Sequence, residues 1–221
     1  MKLLISALIK YLTGVLLFGA LIFAPAGTLN WMNGWLMMGI LFIPMMVMGI
    51  VMFCSAPELL TKRLKNKEKR TTQKGVVALS GLLFIASFLV AAFNYRYHWH
   101  TLPTILPYIA SIVFLIGYAL YAEVMRENAW LSRTIEVQDG QSVVSTGLYG
   151  IVRHPMYTAT ILMYLAMPLV LDSLIAFAIM MLYIPIIIRR INDEEQLLKT
   201  ELPGYTEYCT QVRWRLIPYI Y

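Results

Sequence analysis

The chain has 221 residues, 59% hydrophobic and 14% charged, with a mean hydropathy of +0.67 and a formal net charge of +6. A soluble domain is nearer about 45–50% apolar and about 25% charged, so this composition excludes a soluble protein and leaves little room for a separate soluble domain. The positive charge flanks apolar stretches, which fits membrane topology and anionic lipid rather than nucleic acid, and Cys54 and Cys209 suggest neither a disulfide framework nor a zinc site.

The first expected span is Leu4 to Phe23. Its apolar run exceeds the about 7–15 residues of a signal-peptide core, and Ala24-Pro25-Ala26 is a weak cleavage site, so it reads as a retained span. Lys10 is near enough to one end to snorkel. A loop from Pro25 to Asn30 leads to span two, Trp31 to Phe53, with Trp31 and Trp35 as interfacial aromatics. Its methionines (Met37, Met38, Met45, Met46, Met48, Met52) have no His or Cys at ligand spacing and read as packing or lipid-facing residues. The basic run Lys62, Arg63, Lys65, Lys67, Lys69, Arg70 and Lys74 is cytoplasmic by the positive-inside rule. Span three, Gly75 to Phe93, ends in an aromatic belt, Asn94 to His100. His98 and His100 stand two apart but lack a neighbouring carboxylate or cysteine, and they read as anchors. Span four, Leu102 to Met125, has Pro103 and Pro107 in its first turns, where proline is tolerated or kinks the helix.

From Arg126 to Val152 the chain is polar and cytoplasmic. Asp139-Gly140 is a turn signal between two alternating stretches, Thr134–Gln138 and Gln141–Ser145, so a small hairpin is expected there. Pro155 suits the first turn of a helix. The apolar region from Pro155 to Ile188 is too long for one span of about 20 residues and fits two short antiparallel arms. Pro168 and Asp172 mark the bend, and Pro185 should kink the second arm. Beyond Ile188 the pattern is amphipathic to Glu201, where Leu202-Pro203-Gly204 stops the helix. The aromatic and basic tail, Tyr205 to Tyr221, is expected on the membrane surface.

This is an all-α polytopic membrane protein of about six spans, both termini cytoplasmic, with nearly all Lys and Arg on one side and Arg96 the exception. Residues 1–125 form a four-helix region. Residues 126–221 form a core of cytoplasmic loop, hairpin 155–188 and amphipathic tail. Four polar groups then converge on the cytoplasmic face: the Gln138–Tyr149 loop, Arg153 to Tyr157, the Arg190/Glu194/Glu195 helix, and the Tyr205–Tyr208 turn. Arg190 and Glu194 share a helical face. Spacing leaves open whether they pair at the surface, for under about 1 kcal/mol, or meet a substrate anion and a cofactor.

The motifs Val144-x-x-Gly147-x-Tyr149-x-x-Val152-Arg153-His154-Pro155-x-Tyr157, Arg190-x-x-x-Glu194-Glu195, Gly204-Tyr205-x-x-Tyr208 and Arg215-Leu216-Ile217-Pro218 occur in this order over the last hundred residues. This pattern resembles the isoprenylcysteine carboxyl methyltransferase family, including its prokaryotic members and the phospholipid methyltransferases. The first four spans carry no such signature. The resemblance implies an enzyme using S-adenosylmethionine, with a cytoplasm-facing cofactor pocket lined by Gln138, Gln141, Ser142, Val143, Val144, Tyr149, His154, Pro155, Met156, Tyr157 and Glu194. Arg190 would be the catalytic, substrate-side residue that holds a carboxylate. Ala159 departs from the glycine of many relatives, and the Gln138–Val144 connector is shorter than in the eukaryotic enzymes. The implied acceptor is a lipophilic small molecule or a prenylated cysteine, reached in the cytoplasmic membrane if the source is prokaryotic. An amine acceptor would instead need a base, with Glu195 or His154 as candidates. The competing readings are phospholipid amine N-methylation, an NADPH-dependent reductase of a sterol-like lipid, and a non-enzymatic scaffold. No Gly-x-Gly-x-x-Gly is present for the reductase, although a helical pocket needs none.

Overall fold

The computed structural model describes residues 2–64, 71–131 and 136–221, and no strand occurs among them. In chain order the helices are α1 (Lys2–Ala26), α2 (Met32–Ser55), α3 (Pro57–Leu64), α4 (Thr71–Tyr97), α5 (Leu106–Glu127), α6 (Pro155–Val170), α7 (Leu174–Met181), α8 (Tyr183–Glu201) and α9 (Tyr205–Gln211). A 3-10 turn, Gly147–Gly150, lies between α5 and α6. Five stretches are long and apolar enough to cross a membrane: Leu3–Ala26, Met32–Ser55, Lys74–Tyr97, Leu106–Glu127 and Leu174–Glu201. Their outer faces leave Leu16, Leu82 and Ile112 exposed as only a lipid-facing surface would. The chain is a multi-pass integral membrane protein.

The expected hairpin forms from α6 and the α7–α8 arm. Helix α6 has 16 residues, about 24 Å at about 1.5 Å per residue, which is short of the roughly 30 Å hydrocarbon core. The chain reverses at Leu171-Asp172-Ser173, where Asp172 adopts φ 62° and the Ser173 hydroxyl caps α7 by accepting from Ala176 N. Asp172 also fastens this turn to the α4–α5 connection. Its Oδ1 accepts from Leu102 N at 2.7 Å and its carbonyl from Asn94 Nδ2 at 3.0 Å. The second arm runs on to Glu201 with one break, at Leu182. Pro185 explains the break, because it offers no N–H to the carbonyl of Met181 four residues back.

One core joins the first four spans to the hairpin. It includes Ile22, Met37, Phe88, Phe114, Met167 and Leu171. The tightest seam lies between α5 and α6. A Cβ on Gly117 would stand 2.9 Å from Met163 Cγ and 3.1 Å from the Ala159 carbonyl oxygen. Small residues at such a crossing let two backbones approach closely in lipid. Ala159 is fully buried in this seam, opposite the glycine that makes room for it.

Several local outcomes differ from the sequence pattern. Helix α3 follows span two without being expected. Pro57 and Glu58 suit a helix start, and Leu60 buries against Met52, Val124, Met125, Leu131 and Tyr149. Trp31 is buried and stacks on Tyr95 at 4.7 Å, whereas Trp35 is exposed and donates to the Leu29 carbonyl. Helix α4 continues through Asn94 to Tyr97, so the first half of the aromatic belt is helical. The Asp139–Gly140 turn forms, with Gln141 N donating to Gln138 O at 3.0 Å and Gly140 at φ 73°. Thr134 and Ile135, which begin that hairpin, lie outside the described residues, as do Arg133, Lys65, Lys67, Lys69 and Arg70. The tail packs beneath the start of α6: Arg153 N donates to Trp214 O and His154 N to Arg215 O, both at 2.9 Å, and Thr158 Oγ1 donates to Leu216 O at 2.7 Å. Leu216 is buried, while Tyr219 and Ile220 remain exposed.

Candidate active site

The end of α5, the loop before α6, the first turn of α6, the polar half of α8 and α9 enclose a cleft of about 100 Å³ that opens at its mouth. Gln141, Ser142, Val143, Val144, Tyr149, His154, Met156, Tyr157, Arg190 and Glu194 all line it. Gln138 and Pro155 are not among its lining residues. Gln138 Nε2 donates to the Trp130 carbonyl at 2.5 Å, bracing the loop from behind, and Pro155 is buried as the first residue of α6.

One end of the cleft is charged. Arg190 and Glu194 project from successive turns of α8, and the hydroxyl of Tyr157 on α6 joins them. It donates to Glu194 Oε2 at 2.5 Å and accepts from Arg190 Nε at 3.0 Å. A tyrosine hydroxyl can do both at once. The side chain that couples the two helices is thus Tyr157, two residues inside the α6 start that Pro155 sets.

Glu195, the next residue, turns the other way and is 2% exposed. Its Oε1 accepts from Arg153 Nε at 2.7 Å and lies 3.2 Å from His154 Nε2. Its Oε2 lies 2.9 Å from Arg215 Nη2 and 3.9 Å from Lys199 Nζ. Arg153 Nη1 also donates to the carbonyls of Val212 and Arg213, both at 2.8 Å. Glu195 and the buried His154 therefore form a hub that ties α6, α8 and the tail together. Glu195 does not line the cleft, and its Oε1 is shared by Arg153 and His154 Nε2.

The opposite wall is built from α5, the 3-10 turn and α9. Asn128 Nδ2 donates to the Tyr149 hydroxyl at 2.9 Å, and the Tyr208 hydroxyl donates to the Tyr149 carbonyl at 2.7 Å. Burial pushes the Tyr208 hydroxyl well above the usual phenol range, and neighbouring Tyr149 adds to the shift. Gly147 is required here twice over. It sits at φ 50°, and a Cβ would land 2.0 Å from Glu127 Oε2. That carboxylate crosses the start of the 3-10 turn, accepting from Leu148 N at 3.3 Å.

Asn128, Trp130, Glu136, Arg153, Leu198, Leu202, Tyr205 and Tyr208 also line the cleft. Tyr205 and Tyr208 lie in the turn that the topology brings to this face. Leu198 and Leu202 continue the apolar side of the amphipathic helix. Asn128 and Trp130 carry no spacing signal, since their role depends on where α5 ends.

Residues 109–200 match the model of the isoprenylcysteine carboxyl methyltransferase (ICMT) family. The chain is similar to the Delta(14)-sterol reductase TM7SF2 of Mus musculus, with 33% identity over 91 residues, which is 40% of this chain and 22% of the relative. It thus spans about a fifth of that relative's length. Among solved structures it aligns with the eukaryotic intramembrane Ras methyltransferase ICMT at 18% identity and a TM-score of 0.47, over 100% of this chain and 88% of the other. The matched stretch spans most of α5, the cleft loop, α6, α7 and nearly all of α8.

Proposed function

We propose that this chain is an S-adenosylmethionine-dependent methyltransferase. It transfers the methyl group to the carboxylate of a lipophilic acceptor, a prenylated cysteine or a similar lipid acid, at the cytoplasmic face of its membrane. The observation that carries this reading is the Tyr157 hydroxyl held between Arg190 and Glu194 at one end of the cleft. When bound, S-adenosylmethionine supplies a methyl group on a sulfonium for in-line displacement. Glu194 provides negative charge for a cationic ligand. Tyr157 fixes Arg190 through its Nε and so orients the guanidinium plane, whose fork suits a carboxylate. A carboxylate, with an ordinary pKa near about 4, is already ionised at neutral pH and needs no general base. The protein's work is then positioning and exclusion of water. The engagement of Glu195 and His154 in the buried hub favours this acceptor over a phospholipid amine, for which one of them would have to accept a proton.

The sterol reductase similarity supports a second reading, NADPH-dependent reduction of a lipid. The charges of the cleft weigh against it. A phosphorylated dinucleotide needs cations, yet Arg153 is tied to Glu195 and two carbonyls, and Glu136 and Glu194 add negative charge to the lining. Titration of the detergent-purified chain with S-adenosylmethionine and with NADPH separates the two. Binding of the first and not the second is expected, with loss in Glu194→Gln, and an acceptor screen over prenylcysteines and phospholipids follows. Binding of NADPH alone refutes the methyltransferase.

A further inference from the structure

Tyr205 opens α9 in the cleft wall and is 4% exposed. Its hydroxyl has no hydrogen-bond partner among the described residues. Burying a hydroxyl without a partner opposes folding, and elsewhere this wall satisfies its hydroxyls, with Tyr149 and Tyr208 both engaged. The apolar residues clustered with Tyr205 include Val143, Leu198 and Leu202, while the Glu195 and Glu194 charges also reach its hydroxyl. This end of the cleft contrasts with the charged end at Arg190 and Glu194. Along α8, eight residues separate Glu194 from Leu202, about 12 Å at about 1.5 Å per residue. A ligand that bridges the two ends has a charged head and a flat apolar body carrying a polar edge.

We propose that Tyr205 is a ligand-binding residue whose hydroxyl donates a hydrogen bond to a ring nitrogen of the cofactor's adenine, seated between Val143, Leu198 and Leu202. The inference rests on the methyltransferase reading above and assigns the nucleoside end of that cofactor. An adenine offers acceptors at N1, N3 and N7 on an otherwise stackable plane. Burial first, then the Glu195, Cys209 and Glu194 charges, push the Tyr205 hydroxyl far above the ordinary phenol range. It therefore stays protonated and able to donate.

The test is calorimetric titration of the full chain in detergent, wild type and Tyr205→Phe, with S-adenosylhomocysteine and its 1-deaza, 3-deaza and 7-deaza analogues. Tyr205→Phe should bind S-adenosylhomocysteine roughly two- to twelvefold more weakly, the range for one neutral hydrogen bond. One deaza analogue should weaken binding to the wild type by a similar factor and weaken the variant no further. Because the variant removes an unpartnered hydroxyl, its ligand-free melting temperature should not fall. Equal S-adenosylhomocysteine affinity in both proteins, or equal losses for the deaza series in both, overturns the inference and leaves the methyltransferase reading standing. A lowered ligand-free melting temperature with unchanged binding shows a role in the fold alone and also overturns it. Failure of the wild type to bind S-adenosylhomocysteine at all removes the methyltransferase reading, and the inference falls with it.

Discussion

Glu195→Ala tests whether the buried hub, rather than the surface of α8, holds the tail against the site. The substitution leaves Arg153, His154 and Arg215 facing one another without their shared carboxylate. Breaking a fully buried ion pair by removing one partner costs about 3–5 kcal/mol. Here Arg153 keeps the Val212 and Arg213 carbonyls, and Arg215 keeps Asn192 Oδ1 and the Tyr221 hydroxyl. The cations are thus only partly stranded, and a loss of about 2–3 kcal/mol follows, in line with the roughly 1.5–3 kcal/mol of a charged hydrogen bond. At about 2–4 °C per kcal/mol for a chain of this size, the apparent melting temperature should fall by roughly 5–10 °C. Thermal unfolding in detergent, followed by tryptophan fluorescence, reads this directly. Trypsin should also cleave after Arg213 or Arg215 faster than in the wild type, because the strap loses its hold. Glu194→Ala is the control, since Glu194 is half-buried and meets Tyr157 in the cleft. It should abolish ligand binding at little cost in stability. A Glu195→Ala protein that melts within about 1 °C of the wild type, about the smallest shift a loss near 0.5 kcal/mol would give, with an equally protected tail, refutes the hub.

Gly117→Val should cost about 1–3 kcal/mol by overpacking the α5–α6 seam, because its Cβ meets Met163 and the Ala159 carbonyl. Chemical denaturation checks it, and a wild-type midpoint would disprove the seam. Gly147→Ala should lose about 1–2 kcal/mol from its left-handed backbone alone, and more from displacing Glu127. Adding Glu127→Ala should recover only the second part, as a double-mutant cycle measures. Burial raises both the Tyr205 and the Tyr208 hydroxyls. Stability linked to their protonated forms is fully present below the unfolded phenol pKa of about 10 and is lost as pH rises above it. The melting temperature should therefore decline from about pH 10 upward, and Tyr208→Phe should flatten that decline. A flat profile to pH 11, about one unit past the unfolded value, contradicts their burial.

What was legible in the sequence was what local rules impose. Hydrocarbon thickness sets the length of apolar runs, so the spans and the 155–188 hairpin were readable, and Pro185 announced the break that the structure places at Leu182. Pro155 fixed where α6 begins, and through it the approach of Tyr157 to α8. The bond from Tyr157 to Arg190 and Glu194 was not readable, because helical spacing relates only residues on one helix. Nor was the Glu195 hub, whose partners Arg153, His154 and Arg215 come from two segments far from it in the chain. Helix α3 escaped notice because four of its eight residues carry charges or hydroxyls, which hides the burial of Leu60. Gln138 illustrates the converse: a motif position whose side chain serves the loop and not the cleft.

The brevity of α6 has a consequence for the surrounding lipid. An arm some six ångströms shorter than the roughly 30 Å oil layer cannot match it unstretched. Either the leaflet dimples around the hairpin or the polar mouth above Pro155 settles below the level of neighbouring headgroups. Acyl-chain length thereby becomes a control on this protein: thin bilayers lift the mouth towards water, and thick ones draw it among the chains, where an acceptor of the kind proposed would reside.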